Sequence, residues 1–200
     1  MNKYADASPC GNMVLAFFLI VFFAVLTGLV PPAMGTFLIP LGFASSIGLT
    51  ISGIIQLKNG DPLGGNLNIA FSVFTWVACV ETLLKVLKLM PADSSGALAW
   101  LTLAMALVVL GVTPFLLKAN LAAGMFIIGA DIFFALTSYA SFVGSPTVAY
   151  IAAWGLPLCV FSCLWQGISV PLNAINGRTV FGHGPALIRS KPTIKGSTNS

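Results

Sequence analysis

Charge is almost absent from six long apolar stretches of this chain, and Asp131 is the clear exception. Nine of the 200 residues are Lys or Arg and five are Asp or Glu, whereas 58% are hydrophobic. A water-soluble domain carries about a quarter charged residues, so this composition fits a chain surrounded by lipid. Within lipid a segment must satisfy its own backbone hydrogen bonds, and an α-helix does so along its whole length. The pattern therefore predicts an all-α membrane protein.

The apolar stretches predict six transmembrane helices. Each is close to the ~20 residues that a spanning helix needs, and continuous apolarity differs from the alternation typical of a membrane barrel. Gly, Pro and Asn separate several of the stretches, as turn-forming residues do. The predicted spans cover approximately 13–30, 36–57, 67–84, 97–117, 121–142 and 148–172. We therefore expect a polar N-terminal segment over 1–12, a six-helix transmembrane domain over 13–172 and a C-terminal tail over 173–200.

The distribution of positive charge predicts the orientation of the chain. Six spans return the chain to the side on which it starts, and that side collects Lys3, Lys58 and Lys118. The opposite side has Lys85 and Lys88. Because cytoplasmic loops carry the excess of Lys and Arg, we expect both termini in the cytoplasm and the spans in the cytoplasmic membrane. Four cations in the tail add to that side, and they are either solvated or in contact with anionic lipid headgroups: Arg178, Arg189, Lys191 and Lys195.

Several classes of function lack the residues that they need. The cysteines, Cys10, Cys79, Cys159 and Cys163, form no CxxC motif and no cluster with His183, so we expect neither a metal site nor a redox pair. No predicted span contains a histidine, which argues against an intramembrane serine protease. A basic stripe with interleaved aromatic residues is also absent, which argues against nucleic acid binding. We therefore expect no enzymatic activity and no cofactor.

Small residues recur at every fourth position of the second predicted span, at Ala44, Gly48 and Ser52. Such a face allows two helices to approach closely, either within the chain or between subunits. The hydroxyl groups nearby, including those of Ser45 and Ser46, could instead line a pore. The pattern favours packing over pore lining and leaves the packing partner open.

Three prolines fall inside predicted spans. Proline lacks an amide hydrogen and clashes with the preceding turn, so it kinks or ends a helix. We expect Pro40, Pro114 and Pro157 to kink or interrupt the second, fourth and sixth spans. Because Pro40 falls early in its span and Pro114 late, they do not mark the matching broken helices of an internal repeat.

Two acidic residues lie within predicted spans. An ionised carboxylate at the centre of the fifth span would be costly, so Asp131 should face the bundle interior, a partner or water. It is either a protonatable group that lines a conduit or a structural hydrogen-bonding partner of a neighbouring helix. Glu81 lies near the end of the third span, four residues before Lys85, a spacing that allows an ion pair on one helical face. We interpret that pair as structural.

The end of the sixth predicted span carries the most specific motifs of the chain. Ala153-Trp154 lies near its start, Pro171-Leu172-Asn173 at its end, and Asn176-Gly177-Arg178-Thr179-Val180 directly after it. Gly53-Ile54-Ile55-Gln56-Leu57-Lys58-Asn59-Gly60-Asp61 closes the second span, and Leu117-Lys118 precedes the fifth. Together these stretches resemble the acetate uptake transporter family, the succinate–acetate permease group of bacteria, archaea and fungi. The likeness in layout extends over essentially the whole chain.

The resemblance also assigns expected roles to residues near the start of the chain. The family opens with Asn-Pro-Ala-Pro-Leu-Gly-Leu, of which this chain keeps the second proline as Pro9 and the glycine as Gly11. Polar groups near Asn12 and the helix ends are expected to hold the substrate carboxylate. Trp154, Asn173, Gly177, Arg178 and Thr179 belong to the structural signature that the family shares.

The hydrophobic gate of the family falls on different residues in this chain. The family uses a Phe, a Tyr and a Leu, and these positions correspond to Leu15, Phe71 and Ala130, with Phe17 close to the first. A small residue that bears on substrate size corresponds to Cys163. The position of Asp131 often carries Thr in the family. An ionised carboxylate there would repel an anion, so we expect Asp131 to be protonated or to point away from the pore.

The resemblance implies a six-helix protomer around a narrow pore, one of six in a homohexameric ring. It implies passage of acetate and related small monocarboxylates, with succinate as a further candidate substrate. A hydrophobic constriction would favour the protonated acid or a co-moving proton. Two other interpretations stay open: a urea or short-amide channel, and a non-conducting membrane protein with a sensing or assembly role.

Overall fold

The computed structural model of the chain describes residues 4–90 and 95–188, which are helical apart from residues 4–7, the connections and the segment 177–188. Six segments of these residues are long and apolar enough to cross a membrane, which confirms the predicted all-α architecture of a multi-pass membrane protein. The sixth segment is divided into two helices. The helices are α1 (Ser8–Leu26), α2 (Leu38–Lys58), α3 (Pro62–Val86), α4 (Ser95–Leu116), α5 (Leu121–Val143), α6 (Pro146–Ala153) and α7 (Leu156–Asn176), with a 3₁₀ segment (Pro32–Phe37) before α2.

The bundle is built from two antiparallel hairpins, with α1 and the divided sixth span (α6 and α7) between them. The hairpins α2–α3 and α4–α5 follow from the short turns 59–61 and 117–120. Helix α1 packs against α2 and α7, while α5 packs against α6 and α7. The centre contains fully buried apolar side chains from α1, α2 and α5, among them Phe18, Leu49 and Ile127. The outer surface is rich in exposed apolar side chains, as expected where a helix faces lipid.

Helix α1 begins and ends earlier than the first predicted span. It starts at Ser8, so residues 8–12 of the predicted polar segment belong to the helix. The Ser8 amide donates to the Asp6 carboxylate at 2.9 Å, and Pro9 occupies the first turn, where its missing amide hydrogen costs nothing. The helix ends at Leu26, and Gly28 follows with a positive φ of 72°. Local contacts at the two ends of α1 therefore set helix boundaries that hydrophobicity alone does not predict.

The small face of α2 packs against α1 of the same chain. A Cβ atom on Gly48 would lie 3.1 Å from the Val14 side chain, so these helices approach closely. The Ser45 hydroxyl donates to the Val14 carbonyl at 3.0 Å, and the Ser52 hydroxyl donates to the Ala7 carbonyl at 2.7 Å. The small residues at these positions thus serve helix packing within the chain, whereas Ala44 of the same stripe is exposed.

Hydroxyl groups also join α2 to α3. The hydroxyls of Ser46 and Thr75 are 2.7 Å apart, and those of Thr50 and Ser72 are 2.7 Å apart. The Ser72 hydroxyl also bonds to the Ser46 carbonyl at 2.8 Å. Such bonds between membrane helices stabilise by about 0.6 kcal/mol each on average, so the paired hydroxyls hold the α2–α3 hairpin together.

The three prolines behave differently from one another. Pro40 falls in the first turn of α2, directly after the 3₁₀ segment, and α2 continues past it to Lys58. Pro114 lies inside α4, which continues for two more residues. The sixth span is interrupted at Trp154–Gly155, and Pro157 lies in the first turn of the helix that follows. An interruption is therefore present beside Pro157, whereas α2 and α4 continue past Pro40 and Pro114.

A glycine contact fixes the position of the break between α6 and α7. A Cβ atom on Gly155 would lie 2.5 Å from the Gly129 carbonyl oxygen, and a Cβ on Gly129 would lie 2.5 Å from the Gly155 oxygen. Only glycine permits this approach of two backbones. Helix α5 therefore passes directly against the broken segment.

Parts of the predicted organisation lie outside the described residues. Residues 91–94, between the third and fourth predicted spans, are among them, and Ser95 and Gly96 begin α4. Lys3 and the tail cations Arg189, Lys191 and Lys195 also lie outside them. Residues 173–176, predicted as tail, form the last turn of α7, because its C-terminal cap is Gly177 with a φ of 61°.

Candidate solute pathway

A cavity of about 290 Å³ opens at the end of the bundle where α1, α3 and α5 begin. We call it the polar vestibule. Part of its wall carries amide, hydroxyl and carboxylate groups, and the rest carries apolar side chains. The polar members are Ser8, Asn12, Gln56, Asp61, Asn68, Asn120 and Gln166, and the apolar members include Leu15, Leu67, Phe71 and Phe126.

Two polar side chains of this wall are held in place because they cap helices. The Asp61 carboxylate accepts a hydrogen bond from the Gly64 amide at 2.9 Å and caps α3. The Asn120 side chain accepts one from the Ala123 amide at 2.9 Å and caps α5. Helix starts carry partial positive charge from their unpaired amides. The vestibule is therefore favourable to a negatively charged group, although Asp61 is the one charged side chain that the described residues contribute to its wall.

Side-chain amides form a network across the vestibule wall. The Asn68 amide donates to the Gln56 side-chain oxygen at 2.5 Å and to the Ser52 hydroxyl at 3.2 Å. A Cβ atom on Gly11 would lie 2.7 Å from that hydroxyl oxygen and 2.9 Å from the Asn68 nitrogen. Gly11 therefore allows α1 to lie directly on the network. On the opposite wall, the Gln166 amide donates to the Ser162 hydroxyl at 3.1 Å.

A second cavity of about 210 Å³ lies at the other end of the bundle, and we call it the opposite vestibule. Its wall is mainly apolar, from α1, α3, α4 and α5. The charged groups that the described residues contribute are Glu81 and Lys85, whose carboxylate oxygen and ammonium nitrogen are 2.7 Å apart. The predicted ion pair is thus present, and it faces a cavity, which its spacing on the helix did not reveal. Three threonines supply hydroxyls: Thr82, Thr102 and Thr137.

Phenylalanine rings separate the two vestibules. Phe71 lies in the wall of the polar vestibule and Phe74, one helical turn later, in that of the opposite vestibule. The ring of Phe134 touches both, with centroids 5.9 Å from Phe71 and 5.0 Å from Phe74. Phe133 and Phe22 extend the layer, with centroids 5.8 Å apart. We call these five rings the phenylalanine partition; Phe126 adds a contact with Phe71 at 5.4 Å.

The residues predicted for the path fall into three groups. Asn12, Leu15 and Phe71 lie in the wall of the polar vestibule. Ala130 and Cys163 are buried in the core, 2% and 0% exposed, and belong to neither vestibule wall among the described residues. Phe17 is 52% exposed on the outside of the bundle, so its predicted place in the gate is wrong. Helix α1 turns by about 100° per residue, which brings Leu15 and not Phe17 to the inner face.

Asp131 lies between α5 and α4 and not in the wall of either vestibule formed by the described residues. The Thr113 hydroxyl is 2.8 Å from one carboxyl oxygen of Asp131 and 2.9 Å from the Val109 carbonyl oxygen, and it is positioned to donate to either. The other carboxyl oxygen of Asp131 is buried without a hydrogen-bonding partner in the described residues. The geometry matches the expected hydrogen bond to a neighbouring helix.

The signature after the last span organises a segment that folds back over the bundle. We call residues 177–188 the C-terminal strap. Asn173 accepts hydrogen bonds from the Val180 and Phe181 amides at 2.7 and 2.9 Å and donates to the Phe181 carbonyl at 2.9 Å. Gly177 provides the left-handed cap that turns the chain. Arg178 and Thr179 are exposed within this turn.

The strap reaches the turn between α4 and α5, beside the polar vestibule. The Ile188 amide donates to the Leu117 carbonyl at 3.0 Å, and the Ala122 amide donates to the His183 carbonyl at 3.1 Å. The side chain of His183 contacts the Ser169 hydroxyl on α7 at 2.5 Å. Trp154, another signature residue, packs edge-on against Phe23 with centroids 5.2 Å apart and ties the α6–α7 break to α1.

Sequence reasoning missed much of the polar wall. Gln56, Asn68 and Gln166 are amides within or at the end of apolar spans, and only Gln56 was noticed, as part of a motif. A buried amide in lipid needs a partner in the same way as a buried acid, so the argument applied to Asp131 could have identified Asn68 and Gln166. Phe133 and Phe134 gave no such signal, because phenylalanine is common on every face of a membrane helix.

Comparison with known proteins identifies the fold. No protein-family model matches the chain, and no curated protein matches it in sequence. Among solved structures, the chain superposes on the bacterial acetate channel SatP with a TM-score of 0.81 and 20% sequence identity. The match covers 91% of this chain and 100% of that one. This chain and the acetate channel therefore share one six-span fold.

Proposed function

We propose that this chain is a membrane channel or transporter for acetate and related small monocarboxylates. The observation that carries the proposal is the phenylalanine partition between two vestibules, in a chain with the fold of the bacterial acetate channel SatP. Each vestibule, at about 290 and 210 Å³, has room for a small organic acid. Solute passage, and not chemistry, is the proposed activity.

The partition favours the neutral form of the solute at the narrowest point. Moving an isolated carboxylate from water into apolar surroundings costs many kcal/mol, whereas the protonated acid loses far less. The amides of the polar vestibule can hold the carboxylate before this step, with Asn12 as a donor that makes no side-chain hydrogen bond to another described residue. Transport is therefore proposed to be proton-linked, with uptake increasing on the acidic side. Succinate, with two carboxyl groups, is proposed as a poorer substrate.

Asp131 is proposed to be protonated. One Thr113 hydroxyl proton cannot fully serve both the Val109 carbonyl and an ionised Asp131. A neutral Asp131 would donate its own proton to Thr113 and leave the Thr113 proton for Val109. In this state the carboxyl adds no negative charge beside the path.

The assembly and orientation follow the sequence interpretation. We propose a homohexamer with one pathway in each protomer, in the cytoplasmic membrane, with both termini and the polar vestibule on the cytoplasmic side. The turns at that end carry Lys58 and Lys118, and Arg178 follows α7. The opposite vestibule would then open to the outside.

Uptake of labelled acetate into proteoliposomes tests the proposal. The purified protein is compared with empty liposomes at acidic and neutral outside pH, because neutral acetic acid crosses a bare bilayer. Labelled urea serves as the comparison solute. We expect acetate uptake above the empty control that increases at acidic pH, with no urea uptake.

The other outcomes would reject the proposal in distinguishable ways. Urea flux without acetate flux would indicate a short-amide channel. Flux of neither solute, with the protein intact and inserted, would indicate a non-conducting membrane protein.

A further inference from the structure

The wall of the opposite vestibule contains an ion pair, Glu81 and Lys85, to which the proposed function assigns no role. Glu81 is the more buried partner, with 13% of its side chain exposed, while Lys85 is 39% exposed. Lys85 also lies one turn closer to the end of α3, which places the ammonium group toward the mouth and the carboxylate toward the partition. A solute that enters from this end therefore meets the positive charge first.

Lys85 can hold a carboxylate without releasing Glu81. An ammonium group has three hydrogen-bond donors, and the contact with Glu81 at 2.7 Å uses one of them. The Thr137 hydroxyl, in the same wall, is buried and has no hydrogen-bonding partner among the described residues. Because this oxygen is closed off from the cavity, Lys85 and not Thr137 is the group that can bind the carboxylate.

The remaining wall fits a short alkyl chain. Phe22, Phe74 and Phe133 close the inner end of the opposite vestibule and belong to the phenylalanine partition. A monocarboxylate whose carboxylate binds Lys85 would place its alkyl end against these rings. The carboxylate would then contact the ammonium group, and the alkyl chain would contact the phenylalanine rings.

We propose that Lys85 and Glu81 form a carboxylate-binding subsite that selects monocarboxylates over dicarboxylates. The proposal rests on the proposed function and names the discriminating residues. Lys85 is the ligand of the carboxylate, and Glu81 is its positioning residue. The pair brings no net charge to the cavity, so one anion leaves a single negative charge there. A dicarboxylate would place a second anionic group near Glu81 or against the rings, both of which are unfavourable.

The test measures initial uptake of labelled acetate and succinate into proteoliposomes at neutral pH, over a range of concentrations. Lys85→Gln should raise the half-saturating acetate concentration by about tenfold, the effect of losing one hydrogen bond to a charged group. Lys85→Arg should restore it, because the guanidinium also binds carboxylates. Glu81→Gln should raise succinate uptake relative to acetate by at least severalfold.

Lys88→Asn is the matched control. It removes the same charge one turn further along, from a residue that is not in the vestibule wall, and Asn tolerates the positive φ of 57° at this position. We expect no change in half-saturation for this variant. Equal effects of Lys85→Gln and Lys88→Asn would overturn the subsite, while the uptake by the unaltered protein would still support the proposed function.

The remaining outcomes are also decisive. If Lys85→Gln fails to fold, Glu81→Gln carries the test, and an unchanged ratio of succinate to acetate uptake overturns the selectivity. Absence of uptake by the unaltered protein overturns the proposed function and this subsite together.

Discussion

The Thr113 hydroxyl lies 2.8 Å from a carboxyl oxygen of Asp131 and links the end of α4 to the centre of α5. The contact accounts for an acid that would otherwise be unpaired in lipid. Of the two roles that the sequence left open, a pathway residue and a bond between helices, this contact favours the second, since Asp131 is in neither vestibule wall of the described residues.

Asp131→Asn should therefore keep acetate uptake and its dependence on pH. The amide nitrogen of Asn can donate to the Thr113 oxygen as the neutral carboxyl does. Thr113→Val removes the bond and should lower the stability by about 0.6 kcal/mol, the average for hydrogen bonds between membrane helices. Uptake assays and thermal unfolding in detergent measure the two effects. If Asp131→Asn shifts the pH dependence of acetate uptake, Asp131 takes part in the pathway after all.

Phe71→Ala should speed uptake and admit longer acids. The substitution removes ring contacts with Phe126 and Phe134, and aromatic pairs contribute about 0.5–1.5 kcal/mol each. The lost ring leaves space in the partition, so we expect uptake of butyrate relative to acetate to rise by about tenfold, a difference of about 1.4 kcal/mol in barrier height. Phe17→Ala removes the same side chain from the outer surface and serves as the control. Equal ratios in the two variants would mean that Phe71 does not limit passage.

Gly129→Ala should destabilise the bundle severely. The added Cβ would lie 2.5 Å from the Gly155 carbonyl oxygen, and backbone cannot move aside as a side chain can. Gly111→Ala is the matched control, because a Cβ at that helical position meets no atom within 4 Å. Replacement of glycine by alanine in a helix gains about 0.5–1 kcal/mol where there is room. Thermal unfolding of the two proteins should therefore change in opposite directions.

Asn173→Ala should release the C-terminal strap. The side chain makes three hydrogen bonds to residues 180 and 181, and together they fix the turn. Asn176→Ala, which removes one bond to the Leu172 carbonyl, is the control. Hydrogen exchange of the amides of Val180 and Phe181 should accelerate by tenfold or more in the first variant, consistent with about 1 kcal/mol per bond. Similar exchange in both variants would contradict this role.

The sequence identified the six spans because lipid imposes a requirement on every residue of a span. The short turns at 59–61 and 117–120 were equally clear, since charged and turn-forming residues cluster there. The beginning of α1 was not clear from the sequence, because it involves the hydrogen bond from the Ser8 amide to the Asp6 carboxylate. Local polar contacts of this kind leave little trace in a hydrophobicity pattern.

The candidate pathway was only partly predictable. Asn12, Leu15 and Phe71 were identified by resemblance and lie in one wall. Phe17 was placed wrongly, because two residues along a helix change the direction of a side chain by about 200°. The ion pair of Glu81 and Lys85 was predicted from spacing, yet its exposure to a cavity depends on α4 and α5, which are distant in sequence.

The phenylalanine partition has an electrical consequence. Phe71 and Phe74, which face opposite vestibules, are three residues apart, a rise of about 4.5 Å along α3. When water fills both vestibules, most of the transmembrane voltage falls across this thin layer and not across the ~30 Å of the apolar membrane. The electrical work of moving a carboxylate anion across this layer would be about 2.3 kcal/mol per 100 mV of membrane potential, all of it within one helical turn. The neutral acid carries no charge, so the voltage would do no work on it. The voltage dependence of uptake therefore reports which form of the solute passes between the rings.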